Sequence, residues 1–296
     1  MIKNIGIVVP SFYTGNYFEK NSLAKALNAT LYPLSVQKIE ENNLMLIGYE
    51  GLDWYAKTNK KTYKTVAVIF CDTLFCTNYK WCNEYTNENN IFVYLMPDLQ
   101  DYYYYDYVPV WQTIAIPDQI TIEKPNDKIL ISHSPGHKFG ANYKGSKEIG
   151  NIIKKLSKNY NIEYMCLTNY TWIDCIKQKS KAHIFIDQIV KNNPNINQKR
   201  FGGEIEYHGA IGQSGLEGML LKCCTITSMN EPKTLPYFPP PPIINADYNT
   251  FEKELEKAIS DNIYRNIMIE KQYEWVTMYC SPEFVRKNLT RHINGL

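Results

Sequence analysis

Tyr207-His-Gly-Ala-Ile-Gly-Gln-Ser-Gly-Leu-Glu-Gly-Met-Leu-Leu-Lys222 runs directly into Cys223-Cys-Thr-Ile-Thr-Ser228. Glycines at 209, 212, 215 and 218 surround a helix start, read as a helix over 214–222, and 224–227 is a short strand behind it. A glycine-rich turn, a helix and a buried strand in that order form one unit of a parallel α/β sheet. The helix N-terminus offers N–H groups outside its own ladder and the positive end of the dipole, which suits phosphate or another anion. Ser214-x-x-Glu217 has the spacing of a capping box. A carboxylate at 217 can also accept two hydrogen bonds from a ribose diol, and the two roles do not exclude each other.

Strands and helices alternate on either side of this stretch. Strands are expected over 128–133, 162–167 and 182–186. Helices are expected over 146–158, with Ile149, Ile152, Ile153 and Leu156 at helical spacing, and over 171–179, which opens on Thr-x-x-Asp. Further helices follow over 250–260, with Phe251, Leu255, Ala258 and Ile259 inward, then 264–278, and 283–293 after a Ser281-Pro282 start. The first half opens with a strand over 5–9, a loop to Tyr17 and a helix around 18–27. Runs over 65–71 and 91–96 are apolar throughout, as strands covered on both faces are. Residues 114–124, with Pro117, read as an extended linker. The expectation is α/β: two doubly wound sheets, one over 1–117 and one over 118–296, with ligands beyond the C-terminal strand edges.

The chain has 296 residues, enough for two such domains without disulfide or metal staples. Lys+Arg is 32 against Asp+Glu 30, a net charge of +2, which is not the basic excess of a protein that coats nucleic acid. Lys outnumbers Arg 28 to 4, an AT-rich codon signature rather than a mechanism. No apolar run is long enough to span a bilayer, and the first residues read as a buried strand, not a signal peptide, so a cytoplasmic location is expected. The eight cysteines show no C-x-x-C pair, and several, inside apolar segments, read as reduced core residues. No Asp-x-Asp and no His-Glu-x-x-His occurs, so no catalytic metal and no tightly bound cofactor is expected. Gly140 to Lys147 is not a P-loop, because Ser146 precedes Lys147. The 24 tyrosines, with a run at 102–105, are the compositional oddity, suited to a stacking surface in the first half.

The stretch Ser214-Gly-Leu-Glu-Gly-Met-Leu-Leu-Lys222 resembles the donor-site signature of glycosyltransferases of the GT-B fold, most of all family 4 and its relatives. There a glycine-rich turn leads into Ser/Ala-Leu-Glu-Ala-Met-Ala-x-Gly and then a buried strand. Ile131-Ser-His-Ser-Pro-Gly-His-Lys-Phe-Gly-Ala-Asn-Tyr-Lys-Gly-Ser-Lys147 is similar to the family's first donor-domain strand, basic loop and helix opening. Ala182-His-Ile-Phe-Ile-Asp-Gln188 resembles the Asp-Gln strand end of one subgroup, and the final helices around Tyr279 to Phe284 resemble helices that cross back over the first domain. The resemblance covers residue 128 to the end and is weak before 117.

It implies two Rossmann-like domains facing across a cleft, the first taking the acceptor and the second the donor. It implies a hexosyltransferase using a nucleotide sugar, in the first place a UDP-sugar carrying glucose or a similar hexose, without a metal and with retention. Glu217 would bind ribose. Gly212, Gln213 and Ser214 would face the diphosphate, which Lys144 and Lys138 would neutralise, with Ser134, Asp187 and Gln188 at the same strand ends. Asn169 and Tyr170 would contact the base. Many members carry a second glutamate eight positions before the first, but Gly209 stands there, and Glu204 and Glu206 are off register.

On the acceptor side the candidates are Gly15, Asn16 and Tyr17, with Asp72 as a base for the acceptor hydroxyl or, alternatively, a solvated loop carboxylate or helix cap. His133 is a catalytic candidate or a strand-end core residue, and His137 a candidate aid to phosphate. The acceptor stays open between a glycan, a small molecule and nucleic acid. A viral or phage enzyme glucosylating hydroxymethylated pyrimidines in DNA is one alternative, and a sugar-nucleotide binder without catalysis is another.

Overall fold

The computed structural model describes residues 5–9, 24, 30–33, 44–47, 64–69, 73–88, 91–95, 108–109, 111, 114–136, 143–193, 209–229 and 239–293. Backbone contacts divide the chain into two units, Met1–Ala115 with Met278–Leu296, and Ile116–Thr277.

The first unit contains β1 (Ile5–Val9), β2 (Thr30–Pro33), β3 (Leu44–Ile47), β4 (Lys64–Ile69), α1 (Thr73–Glu88), β5 (Phe92–Leu95) and β6 (Val108–Pro109). The strand order is β2-β1-β3-β4-β5-β6, and every neighbouring pair is parallel. The order reverses at β1, so the sheet is doubly wound. Of the expected helix at 18–27 only Ala24 is described, and it is helical and buried. The sequence did not signal α1. Its buried face includes Asn83 and Thr86 beside Cys82, so no apolar stripe betrays it. The Thr86 hydroxyl donates to the Cys82 carbonyl one turn back, which satisfies it inside the helix.

The second unit contains β7 (Ile129–Gly136), α2 (Ser146–Leu156), β8 (Ile162–Thr168), α3 (Trp172–Lys179), β9 (Ile184–Ile186), α4 (Gln213–Leu220), β10 (Cys224–Thr227), β11 (Ile244–Asn245), α5 (Phe251–Ser260) and α6 (Asn262–Tyr279). Its sheet runs β11-β10-β9-β7-β8, again all parallel. This is a doubly wound order whose reversal lies between β7 and β9, where such sheets place their ligands. Ile149, Ile153 and Leu156 of α2 and Phe251, Leu255, Ala258 and Ile259 of α5 close over Ile131, Ile184, Ile186 and Ile226 of the sheet. Each of these Ile, Leu and Phe side chains contributes roughly 1.5–3 kcal/mol on burial. Ile176, Ala182, Phe185, Leu221 and Cys223 form a second cluster, packed against Ile116 and Ile120 of the expected linker.

The last helix, α7 (Pro282–Ile293), starts on the expected Ser-Pro signal. The Phe284 N–H donates to the Ser281 hydroxyl at 3.2 Å, and Pro282 occupies the first helical position, where no donor is missed. Among the described residues no helix is long and apolar enough to cross a membrane.

Candidate functional site

The helix α4 begins one residue earlier than the sequence suggests and is not capped by Ser214. Its cap is Gly212, which makes no side-chain hydrogen bond, and Glu217 lies beyond the first turn. The capping-box reading of Ser214 and Glu217 is therefore corrected. Another carboxylate supplies the missing acceptor. Asp187, at the exit of β9, is completely buried, and its Oδ2 accepts the Gly212 N–H at 2.8 Å. Its Oδ1 accepts the Lys144 ammonium at 2.7 Å. Lys144 reaches it because the turn before α2 passes against the exit of β9. Gly145 there has φ 76°, and a Cβ on it would lie 2.5 Å from the Ile189 carbonyl oxygen. The Ile189 N–H donates to the Lys144 carbonyl, closing the same contact.

The glycines of α4 keep the helix close to β9. A Cβ at Gly218 would stand 2.7 Å from the Phe185 ring, and one at Gly212 would stand 3.0 Å from Asp187 Oδ2. That proximity sets Glu217 beside α3. Glu217 is 5% exposed and accepts three hydrogen bonds: from Trp172 Nε1 at 2.8 Å, Lys179 Nζ at 2.7 Å and Gln213 Nε2 at 3.1 Å. Lys179 is wholly buried. It also donates to the Ser214 hydroxyl at 2.8 Å and carbonyl at 3.2 Å, and lies 4.4 Å from the Phe185 ring centroid. Burial works to lower the Lys179 ammonium, but the carboxylate of Glu217, with Cys175 and Asp187, more than offsets it and holds it above the ordinary lysine value.

His133 ends up completely buried at the reversal point. A carbonyl can only accept, so the contact of Nδ1 with the Ile186 carbonyl at 2.8 Å puts the ring proton on Nδ1. Nε2 then accepts from the Ser146 hydroxyl at 2.7 Å. Burial lowers the imidazole to about 4, so the ring is neutral near pH 7. Both nitrogens are engaged inside the protein, tying the ends of β7 and β9 to the start of α2.

The other expected residues fall into two groups. Ser134 is nearly buried, with its hydroxyl 3.2 Å from Cys175 Sγ, and Gln188 is buried with its amide on the Ala210 carbonyl, bracing the turn before α4. Asn169, at φ 60°, and Tyr170, 50% exposed, are open at the end of β8. Thr171 caps α3 by accepting the Asp174 N–H, as its spacing suggests. Asp72, Lys138, Gly15, Asn16, Tyr17 and His137 lie outside the described residues.

Lys179 and Trp172 were not singled out from the sequence. Lysine in the last turn of a helix ordinarily reads as a complement to the dipole. The signal was the period: Trp172, Ile176 and Lys179 lie at i, i+4 and i+7 on one face, and Ile176 is buried.

No protein-family model matches the chain, and no curated protein does. Solved structures do. HepE of Anabaena, solved with UDP and glucose, aligns over 100% of both chains at 9% identity with a TM-score of 0.63. An alpha-glucosyltransferase solved with UDP-glucose and DNA containing an abasic site aligns over 98% of both chains at 13% identity, TM-score 0.60. S. aureus MnaA with UDP aligns over 99% of this chain and 96% of its own at 10% identity, TM-score 0.53. At these identities the likeness is one of fold, and the fold is that of GT-B glycosyltransferases.

Proposed function

We propose that the chain is a glycosyltransferase that moves a hexose, in the first place glucose, from a UDP-sugar to a hydroxyl acceptor. The observation that supports it is the grouping at the start of α4: a helix N-terminus, a lysine held beside it by a buried carboxylate, and a nearly buried glutamate in the next turn. In this reading the second unit takes the donor. The diphosphate faces the N–H groups of Gln213 and Ser214 rather than that of Gly212, which Asp187 occupies. Lys144 neutralises it, Glu217 receives ribose, and Tyr170 and Asn169 meet the base. As the bond from sugar C1 to the diphosphate oxygen breaks, the acceptor oxygen bonds to C1 and its proton passes to a base. The dipole of α4 and the Lys144 ammonium stabilise the leaving charge without a metal, and retention is carried over from the family resemblance. His133 acts as a support for the strand ends. Asp72, Gly15, Asn16 and Tyr17 are assigned to the acceptor side, and Lys138 to the diphosphate. No resident cofactor belongs to this reading. A cytoplasmic setting belongs to the same reading and suits the thiols of Cys166, Cys175, Cys223, Cys224 and Cys280, which are not in disulfides.

The test is a panel of nucleoside diphosphate sugars incubated with the purified protein, reading release of the nucleoside diphosphate. Glu217→Ala should weaken UDP binding about tenfold or more, the value of a hydrogen bond to a charged group. Unchanged affinity would sink the donor-site assignment, and tight binding without turnover would favour a sugar-nucleotide binder. DNA is one acceptor to test, because a neighbour in fold is an alpha-glucosyltransferase solved with DNA containing an abasic site, and hydroxymethylated DNA offers the hydroxyl the transfer needs. Labelling of hydroxymethylated but not plain DNA, falling as salt rises, is the expected result.

A further inference from the structure

Lys179 is the one charged side chain of the second unit that is wholly buried and cationic, among the described residues. It is also more heavily bonded than a surface lysine packed down by accident. Its three donors go to Glu217 and to both oxygens of Ser214, so it joins α3 to the first turn of α4 and to the carboxylate below that turn. Glu217 itself is nearly out of water, and a carboxylate there is retained in its charged form only with a partner. Trp172 and Gln213 donate to Oε1 and Lys179 donates to Oε2, so three of about four acceptor positions are used and the direction of the last is fixed.

We propose that Lys179 is the positioning residue of the nucleotide site: its buried ammonium keeps Glu217 ionised and aimed where the ribose hydroxyls arrive, so that nucleotide recognition does not vary across neutral pH. This rests on the donor-site reading given above. Among the described residues, the charged and titratable groups around the pair are Cys175 on α3 itself, Cys223 after α4 with Lys124 3.7 Å from its sulfur, Asp187 at the exit of β9 with its partner Lys144, and His133 at the end of β7. Asp187 is already paired to Lys144, and the neutral His133 supplies no cation. Among the described residues, Lys179 is therefore the cation within hydrogen-bonding reach of Glu217.

The experiment is UDP affinity by calorimetry between pH 5.5 and 8.5 for the wild type, Lys179→Met and Lys179→Arg. Dividing each variant's Kd by the wild-type Kd at the same pH removes the titration of the UDP phosphate. For Lys179→Met the ratio should fall by about tenfold or more as pH rises, because the unpaired Glu217 takes up a proton at the acid end and loses its acceptor role. For Lys179→Arg, which keeps the charge, it should stay flat. Should Lys179→Met not fold, Lys179→Gln, which keeps a donor and loses the charge, carries the same comparison. A Lys179→Met ratio that does not change with pH overturns the assignment and leaves Lys179 a packing residue. A wild type that binds no UDP at any pH overturns the donor-site reading itself.

Discussion

His133 offers a direct measure of how dry the reversal point of the second sheet is. Burial lowers its imidazole from an ordinary 6.5 to about 4 in the folded protein. Below pH 6.5 the unfolded chain takes up this proton and the folded chain does not, so stability falls as pH falls, until the folded ring also protonates near pH 4. At about 1.4 kcal/mol per unit, this one group removes roughly 2 kcal/mol by pH 5 and about 3 kcal/mol by pH 4. Carboxylates titrate in the same range, so the quantity to isolate is a difference between two proteins. His133→Asn keeps an amide donor for the Ile186 carbonyl and has nothing to protonate. Urea unfolding of both proteins from pH 7.5 to 4 should give curves that converge by about 3 kcal/mol, whatever their offset at neutral pH. Ring nitrogen shifts should show the Nδ1–H form throughout that range above pH 5. Parallel stability curves, or a His133 resonance titrating near 6.5, would refute the buried, doubly bonded ring.

Two further expectations follow from the glycines and from Glu217. Gly218→Ala puts a methyl 2.7 Å from the rigid Phe185 ring and should destabilise by about 1–3 kcal/mol, whereas Gly150→Ala, whose nearest contact is Tyr164 at 3.9 Å, should stabilise by about 0.5–1 kcal/mol; thermal melts read both. Glu217 has room for about one more hydrogen bond, so of 2′-deoxy-UDP and 3′-deoxy-UDP only one should lose affinity, by about tenfold. Equal losses for both analogues would show that Gln213 or Trp172 lets go on binding.

The alternation of strands and helices after residue 128 was legible because most elements there carry an uninterrupted pattern. Ile149, Ile153 and Leu156 mark one face of α2, and Phe251, Leu255, Ala258 and Ile259 mark one face of α5. β2, β3, β6 and β11 were missed: two to four residues show no period, and unlike the equally short β5, β9 and β10 they lie neither in a longer apolar run nor beside a motif. In the candidate site the sequence pointed to the start of α4, one residue late, and to Lys144, Asp187 and Glu217, but not to their pairing. Ser214 and Glu217 have capping-box spacing, yet Ser214 receives Lys179, and the N–H of the cap residue Gly212 goes to Asp187, 25 residues away. Such long-range partners leave no local spacing to read.

The polar atoms buried at this edge are poor candidates for stabilising the fold. A buried ion pair seldom gains more than it loses on leaving water, but removing one partner leaves an uncompensated charge. Lys179→Met alone should therefore lose about 3–5 kcal/mol. Lys179→Met with Glu217→Gln removes both charges, keeps an acceptor for Trp172, and should recover most of that loss, giving a coupling of at least about 2 kcal/mol in a double-mutant cycle. The same double variant should bind UDP more weakly than the wild type at every pH. Recovery of stability without recovery of binding would mean that the pair is kept for the ligand and not for the fold. A double variant no more stable than Lys179→Met would mean instead that α3 and α4 depend on the Lys179 ammonium for more than its charge, through its bonds to Ser214.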